Sequence, residues 1–371
     1  MFKNLLLTIA VTCFFTVSPV QAELPQTKIK VGIILPLSGS LSAYGAASRN
    51  GLQLAVNDNP EGFNDIEFFY EDSAYEGKKS VSSFHKLINI DKADLIYIWG
   101  DTPSASIAPI VKQKKIPTVV ISTDSTLNVD NRWVITFQSG MDEFGRILSS
   151  HLIQSHIEKI AIIKTSLPYY LGMVDSLNRH KGDNIKIVFS QEVNPDEMDF
   201  KSIITKLKNV SPSEIGAFLL PGQIAQFYKQ ASDQGLKFKG FGTEDLATRT
   251  EIDAVPQLLE GAVFPGNHVS DSFSQKYVDK FHDDSHLAHA GYAYEFGRLL
   301  PVIFQEAGQK NMSNDSILNA FAVAQVGEGP LGLTSIDINS SGAIAFKFPV
   351  VMRTIYKGHA KDTLAVLPNS R

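Results

Sequence analysis

Cysteine is almost absent: Cys13 is the only one in 371 residues, so the chain can form neither an internal disulfide framework nor a cysteine-rich zinc site. Concentrated charge is absent too. Lys+Arg 34 against Asp+Glu 39 leaves a net charge of -5, with no block of either sign, which disfavours nucleic-acid binding. No apolar run reaches the roughly 20 residues that a membrane-spanning helix requires. What is plentiful is apolar material. At 43% hydrophobic and 20% charged, the composition excludes a disordered chain and supplies a sizeable core, and the length predicts about two domains.

The first 22 residues read apart from the rest. Lys3 precedes an apolar stretch over 5–17, then comes a break at Pro19, then Val20-Gln21-Ala22 with small residues flanking a cleavable bond. This pattern predicts a secretory signal peptide over 1–22, cleaved to leave Glu23 first and the remainder soluble. Lipidation at Cys13 is the competing reading; Val11-Thr12 is a poor match to the small residues it needs, and the apolar run continues past it. Cleavage would remove the single thiol, which suits an oxidising compartment.

Downstream, apolar runs alternate with helical patterns. Residues 29–35 are nearly continuously apolar and end at Pro36, as expected of a strand buried on both faces of a parallel sheet. A helix is predicted over 44–58. Strand and helix pairs follow at 66–70 and 78–90, then 94–99 and 103–114, with a further strand at 118–122: a βαβα series. A second series opens at Lys159-Ile160-Ala161-Ile162-Ile163, which echoes Lys30-Val31-Gly32-Ile33-Ile34. Its strands are predicted near 185–189, 215–220 and 261–264, with helices near 200–207 and 223–234. The tail has helical patterns at 287–307 and 315–324 and strands at 343–348 and 350–356, too few strands for a third domain. It is expected to complete both earlier lobes. The fold class is therefore α/β, with two doubly wound parallel-sheet lobes.

Such sheets bind ligands beyond the carboxyl ends of their strands. The loops at 37–44, 100–104, 122–126, 165–172, 220–223 and 242–245 are rich in hydroxyls and tyrosines but contain no nucleophile with a base and an orienting partner. Other chemical motifs fail on context. Residues 327–332 fit GxGxxG, but they follow a helix and precede a strand, the reverse of a dinucleotide site, and read as a turn. Ser83-Phe84-His85-Lys86 fits SxxK inside an amphipathic helix, without the partner motifs of an acyl-enzyme. His282, Asp283, Asp284, His286 and His289 carry zinc-type ligands at short spacing, but solvated polar residues in a helix-to-helix loop explain them more simply. Lys112, Lys114 and Lys115 read as a solvated helix end. Neither a metal nor a cofactor is expected.

The opening IKVGIILPLSGSLSAYGAASRNGLQLAVND, the Ala-Pro at 108–109, Ile-Pro at 116–117, Asp-Phe at 199–200, the QA..QGL of 230–236 and the GPLG of 329–332 form an ordered set. Over residues 28–357 the chain resembles the type I periplasmic solute-binding proteins of the leucine/isoleucine/valine-binding group, which serve ABC transporters for amino acids, amides and related solutes. The resemblance implies two lobes joined by a three-strand hinge, with crossings near 138–141, 265–269 and 333–345. It implies an N-terminal lobe of 23–140 plus 268–340 and a C-terminal lobe of 141–267 plus 341–371. It also implies a periplasmic, monomeric binder of an amino acid or amide-like solute, with an inner-membrane permease as partner.

Carried over position by position, the resemblance assigns the ligand carboxylate to Ser125 and Thr126, with Ser122 nearby, the walls to Tyr44 and Tyr169, and the ligand ammonium to Glu244. Two departures stand out. Asp101, followed by Thr102 and Pro103, replaces a serine common in the family; a carboxylate there would repel a ligand carboxylate, or Asp101 or Thr102 simply caps the next helix. Leu219-Leu220-Pro221-Gly222 offers no tyrosine where relatives often place an aromatic. A periplasmic sensor of the same fold is an alternative reading. A secreted α/β enzyme using the His282 cluster or Ser83 with Lys86 is another.

Overall fold

The structure, a computed structural model, describes residues 28–308, 312–324 and 327–363. The expected signal peptide, with Cys13, lies outside them. β1 (Ile29–Leu35) is buried at every position except Lys30, as its continuous apolar run requires. β2 (Ile66–Asp72) and β3 (Leu95–Trp99) pair with it on either side, and β4 (Thr118–Ile121) and β5 (Val134–Thr136) continue the sheet outward from β3, all parallel. The second series repeats this arrangement. β6 (Lys159–Thr165) lies between β7 (Lys186–Val193) and β8 (Glu214–Phe218), followed by β9 (Lys239–Gly242) and β10 (Val263–Asn267). Along these strands alternate residues serve opposite faces: Ala161, Ile163, Ile215 and Ala217 enter one core, and Ile160, Ile162 and Phe218 enter the other.

The tail then completes both sheets. β11 (Ser335–Ile338) and β12 (Ile344–Lys347) form a hairpin whose second strand pairs parallel with β5. β13 (Val350–Tyr356) and β14 (His359–Asp362) extend the second sheet antiparallel from β10. The seven-stranded sheets, in the equivalent orders β11-β12-β5-β4-β3-β1-β2 and β14-β13-β10-β9-β8-β6-β7, are thus parallel through six strands in the first and five in the second, each with antiparallel pairing at one edge.

One expected boundary is corrected. Residues 341–371 were assigned whole to the second lobe, yet β12 belongs to the first sheet. Its alternating Ile344 and Phe346 are buried, and Phe346 packs on Phe137 with ring centroids 4.5 Å apart. The third crossing therefore lies at Phe348 and Pro349, after β12, and not within 333–345. It runs beside the other two crossings. Ser139 Oγ donates to the Phe348 carbonyl at 2.6 Å, and Asn267 Nδ2 donates to the Pro349 carbonyl at 3.3 Å.

Candidate functional site

The strand ends of the two lobes meet around a cavity of about 50 Å3, room for a few water-sized groups. From the first lobe come Tyr44, in the first turn of the helix Ser42–Asp58, Trp99, the last residue of β3, and Tyr75, from the loop after β2. Trp99 lies 5.0 Å from Tyr44 and 5.8 Å from Tyr75, measured between ring centroids. Gly100 makes this packing feasible. Its φ is +105°, and a Cβ there would sit 2.5 Å from Tyr75 Cε2. The loop leading to Tyr44 is held by Asp72, which accepts from the Leu37 N–H at 2.8 Å and from Ser38 Oγ at 2.6 Å.

The second lobe supplies Tyr169 and Tyr170, placed in the first turn of the helix Pro168–His180 because Pro168 starts it, and Glu244 with Asp245 in the turn after β9. The lobes touch directly here: the Tyr44 hydroxyl donates to Asp245 Oδ1. Tyr170 and Thr243 each donate to Asp245 Oδ2 at 2.9 Å. Burial and the adjacent Glu244 charge outweigh these donors and push the Asp245 carboxyl up to about 7. Glu244 moves the opposite way. Burial works to raise it, but the neighbouring His289 ring and the hydrogen bond from Tyr169 prevail and hold it below the usual carboxylate range. Tyr169 donates to Glu244 Oε2 at 2.6 Å, and His289 Nε2 stands 3.7 Å from Oε1.

The tautomer of His289 follows from its other neighbour. Trp99 Nε1 is 2.9 Å from His289 Nδ1, and an indole nitrogen only donates. Nδ1 is therefore the bare acceptor, and the ring is neutral with its proton on Nε2, toward Glu244. His286 packs its ring 3.9 Å from that of Tyr44, and burial pushes it down to about 4, so it too is neutral near pH 7.

Of the residues expected at the site, Tyr44, Tyr169, Glu244 and Asp101 line this cavity. Thr102 and Ser125 do not; they line an adjoining cleft of about 240 Å3 beside Met141 and Pro168, which shares Asp101 and Thr123 with the cavity. Thr126 is exposed, and both its N–H, at 2.9 Å, and its hydroxyl, at 2.6 Å, go to Asp124 Oδ1. The cause is where β4 ends. Because the strand stops at Ile121, Ser122 and Thr123 face the start of the helix Asp101–Lys114, and the chain has turned away by residue 125. Asp101 caps nothing; its carboxylate reaches across to accept from Ser122 Oγ at 2.6 Å, the Thr123 N–H at 2.8 Å and Thr123 Oγ1 at 2.9 Å.

The histidine and aspartate run at 282–289 disperses. Asp284 accepts both Nε and Nη2 of Arg249, at 2.6 and 2.5 Å, and lies 2.9 Å from His359 Nδ1, in a cleft of about 710 Å3 near the crossings. His286 and His289 turn toward Tyr44 instead. Trp99, Tyr75, Tyr170, Thr123, Asp245 and His289 were missed from sequence. Tyr170 and Asp245 adjoin assigned residues and were within reach. Trp99 reads as strand core, and nothing local brings His289 to this loop cluster.

Residues 28–341 match the model of a family described as periplasmic binding protein. The chain is 24% identical over 342 residues to Leu/Ile/Val-binding protein homolog 2 of Brucella abortus strain 2308, covering 89% of this chain and 91% of the relative. Among solved structures it is similar to a branched-chain amino acid transporter substrate-binding protein of Streptococcus pneumoniae in complex with isoleucine, with TM-score 0.78, 20% identity, and 90% and 98% of the two chains covered. A solute-binding protein of an R. palustris ABC transporter in complex with benzoate gives TM-score 0.77 and 20% identity, with 91% and 95% covered.

Proposed function

Because the chain belongs to the periplasmic binding protein family, we propose that it is the solute receptor of an ABC transporter, exported to the periplasm, where it closes two lobes on a small polar solute and delivers it to an inner-membrane permease. The observation that carries this reading is the cavity at the lobe junction, bridged by the hydrogen bond from Tyr44 of one lobe to Asp245 of the other. Tyrosines suit such a cleft, since their ring faces pack on apolar parts of a solute while their hydroxyls fix polar ones. Glu244 and Asp245 provide acceptors at its centre. The reading is of binding without turnover.

A thermal-shift screen of the mature protein against amino acids, amides, amines and aromatic acids tests it. A ligand of the native state raises the melting temperature by mass action. At least one class should do so and be recovered chemically unchanged. Failure of every class, or consumption of the stabilising compound, would refute the receptor reading.

A further inference from the structure

We propose that the solute is an N–H-bearing organic cation without a carboxylate group, a small ammonium or guanidinium compound; this rests on the receptor reading above. The first observation concerns the donors that would hold a carboxylate. Ser122 Oγ and the N–H and hydroxyl of Thr123 all bind the Asp101 carboxylate, and the N–H and hydroxyl of Thr126 bind Asp124. The protein's own carboxylates thus already occupy these donors of the first lobe. A second anion placed against Ser122 or Thr123 would meet the like charge of Asp101.

The second observation is the charge of the cavity. Glu244, whose ionised form is favoured, lines it together with Asp101 and Asp245, whereas among the described residues neither lysine nor arginine does. His289 does not offset them, because the Trp99 N–H holds its Nδ1 as an acceptor. Cationic charge must come from the solute. Third, Tyr44, Tyr75 and Trp99 supply neighbouring ring faces, which attract a cation through their quadrupoles. Finally, Glu244 Oε1 lies 3.7 Å from His289 Nε2, too far for a hydrogen bond, which leaves its lone pairs for an N–H of the solute. A quaternary ammonium could not use that acceptor.

Matched pairs differing only in the α-carboxylate test this: 3-methylbutylamine against leucine, 1,4-diaminobutane against ornithine, and 4-aminobutylguanidine against arginine, titrated calorimetrically into the wild-type protein and into Asp101→Ser. In at least one pair the decarboxylated member should bind wild type at least tenfold tighter. Asp101→Ser frees the Ser122 and Thr123 donors and should shift that ratio at least tenfold toward the amino acid. Tighter binding of the amino acids, or of a neutral amide or an aromatic acid, to wild type would overturn the cation assignment while leaving the receptor reading intact. Absence of binding by any small solute would overturn both. Should Asp101→Ser fail to fold, the wild-type pairs still decide.

Discussion

At the scale of single residues, Asp245 has the most consequential environment. It is buried beside Glu244 and receives the hydroxyls of Tyr44, Tyr170 and Thr243, with Tyr75, Tyr169 and His289 completing its surroundings. Its carboxyl titrates at about 7, well above the 3.8 of an unperturbed aspartate. Between these values the folded protein holds a proton that the unfolded chain releases. The associated stability is therefore present at low pH and is lost as pH rises through about 7. The Asp245→Asn variant stays neutral throughout. Its melting temperature relative to wild type, without solute, should climb between pH 5 and pH 8; a difference independent of pH would show that Asp245 does not titrate there. How far these residues were legible in the sequence depended on how local their placement is. Tyr44, Tyr169 and Glu244 sit where the order of motifs along the chain places them. Ser125 and Thr126 were misjudged because a short polar loop does not reveal where its strand ends, and two residues of slippage exchange a wall for a rim. Asp101 stands out in the sequence as a departure, but its bonds to Ser122 and Thr123 depend on residues 21 and 22 positions apart in sequence meeting in space.

Among elements, the short loop before the helix Leu287–Glu306 is the one whose role could not be read from its composition. Its Asp284 binds Arg249, which opens the second-lobe helix Arg249–Ala254, and His359 of β14 approaches the same carboxylate. This bidentate pair joins the two lobes outside the solute cavity. Both partners are partly exposed, so the contact contributes on the order of 1 kcal/mol to the closed form, not the several of a buried pair. Arg249→Ala should weaken solute binding by roughly fivefold, mainly through faster release, and a double-mutant cycle with Asp284→Ala should show coupling of the same size. An unchanged release rate would remove the latch from the closing mechanism. Regular elements were easier to recognise. The continuous apolar run of β1 and its echo in β6 disclosed two α/β lobes, since strands buried on both faces leave an unmistakable pattern. β9 and β11 were not recognised, being four residues each and, in β9, half glycine. The same brevity displaces the expected third crossing, because a strand as short as β12 does not show from its sequence which sheet it joins.

For the whole molecule, two sheets are joined by three adjacent crossings, and the proposed closure makes these crossings the hinge. Rotation can be absorbed near Ser139, Asn267 and Pro349, where the crossings are tied by side-chain hydrogen bonds, while each packed lobe moves as a body. In the proposed closure, Tyr44 of one lobe and Asp245 of the other are the pair that would meet as the lobes come together. On that proposal, capture of a solute and formation of this bond would be the same event. The most direct measurement is a crystal structure of the mature protein with the solute that most raises its melting temperature. Electron density for the solute between the two lobes, against Trp99 and Glu244, is the predicted result; density confined to one lobe, or to the cleft around Arg249 and His359, would contradict it.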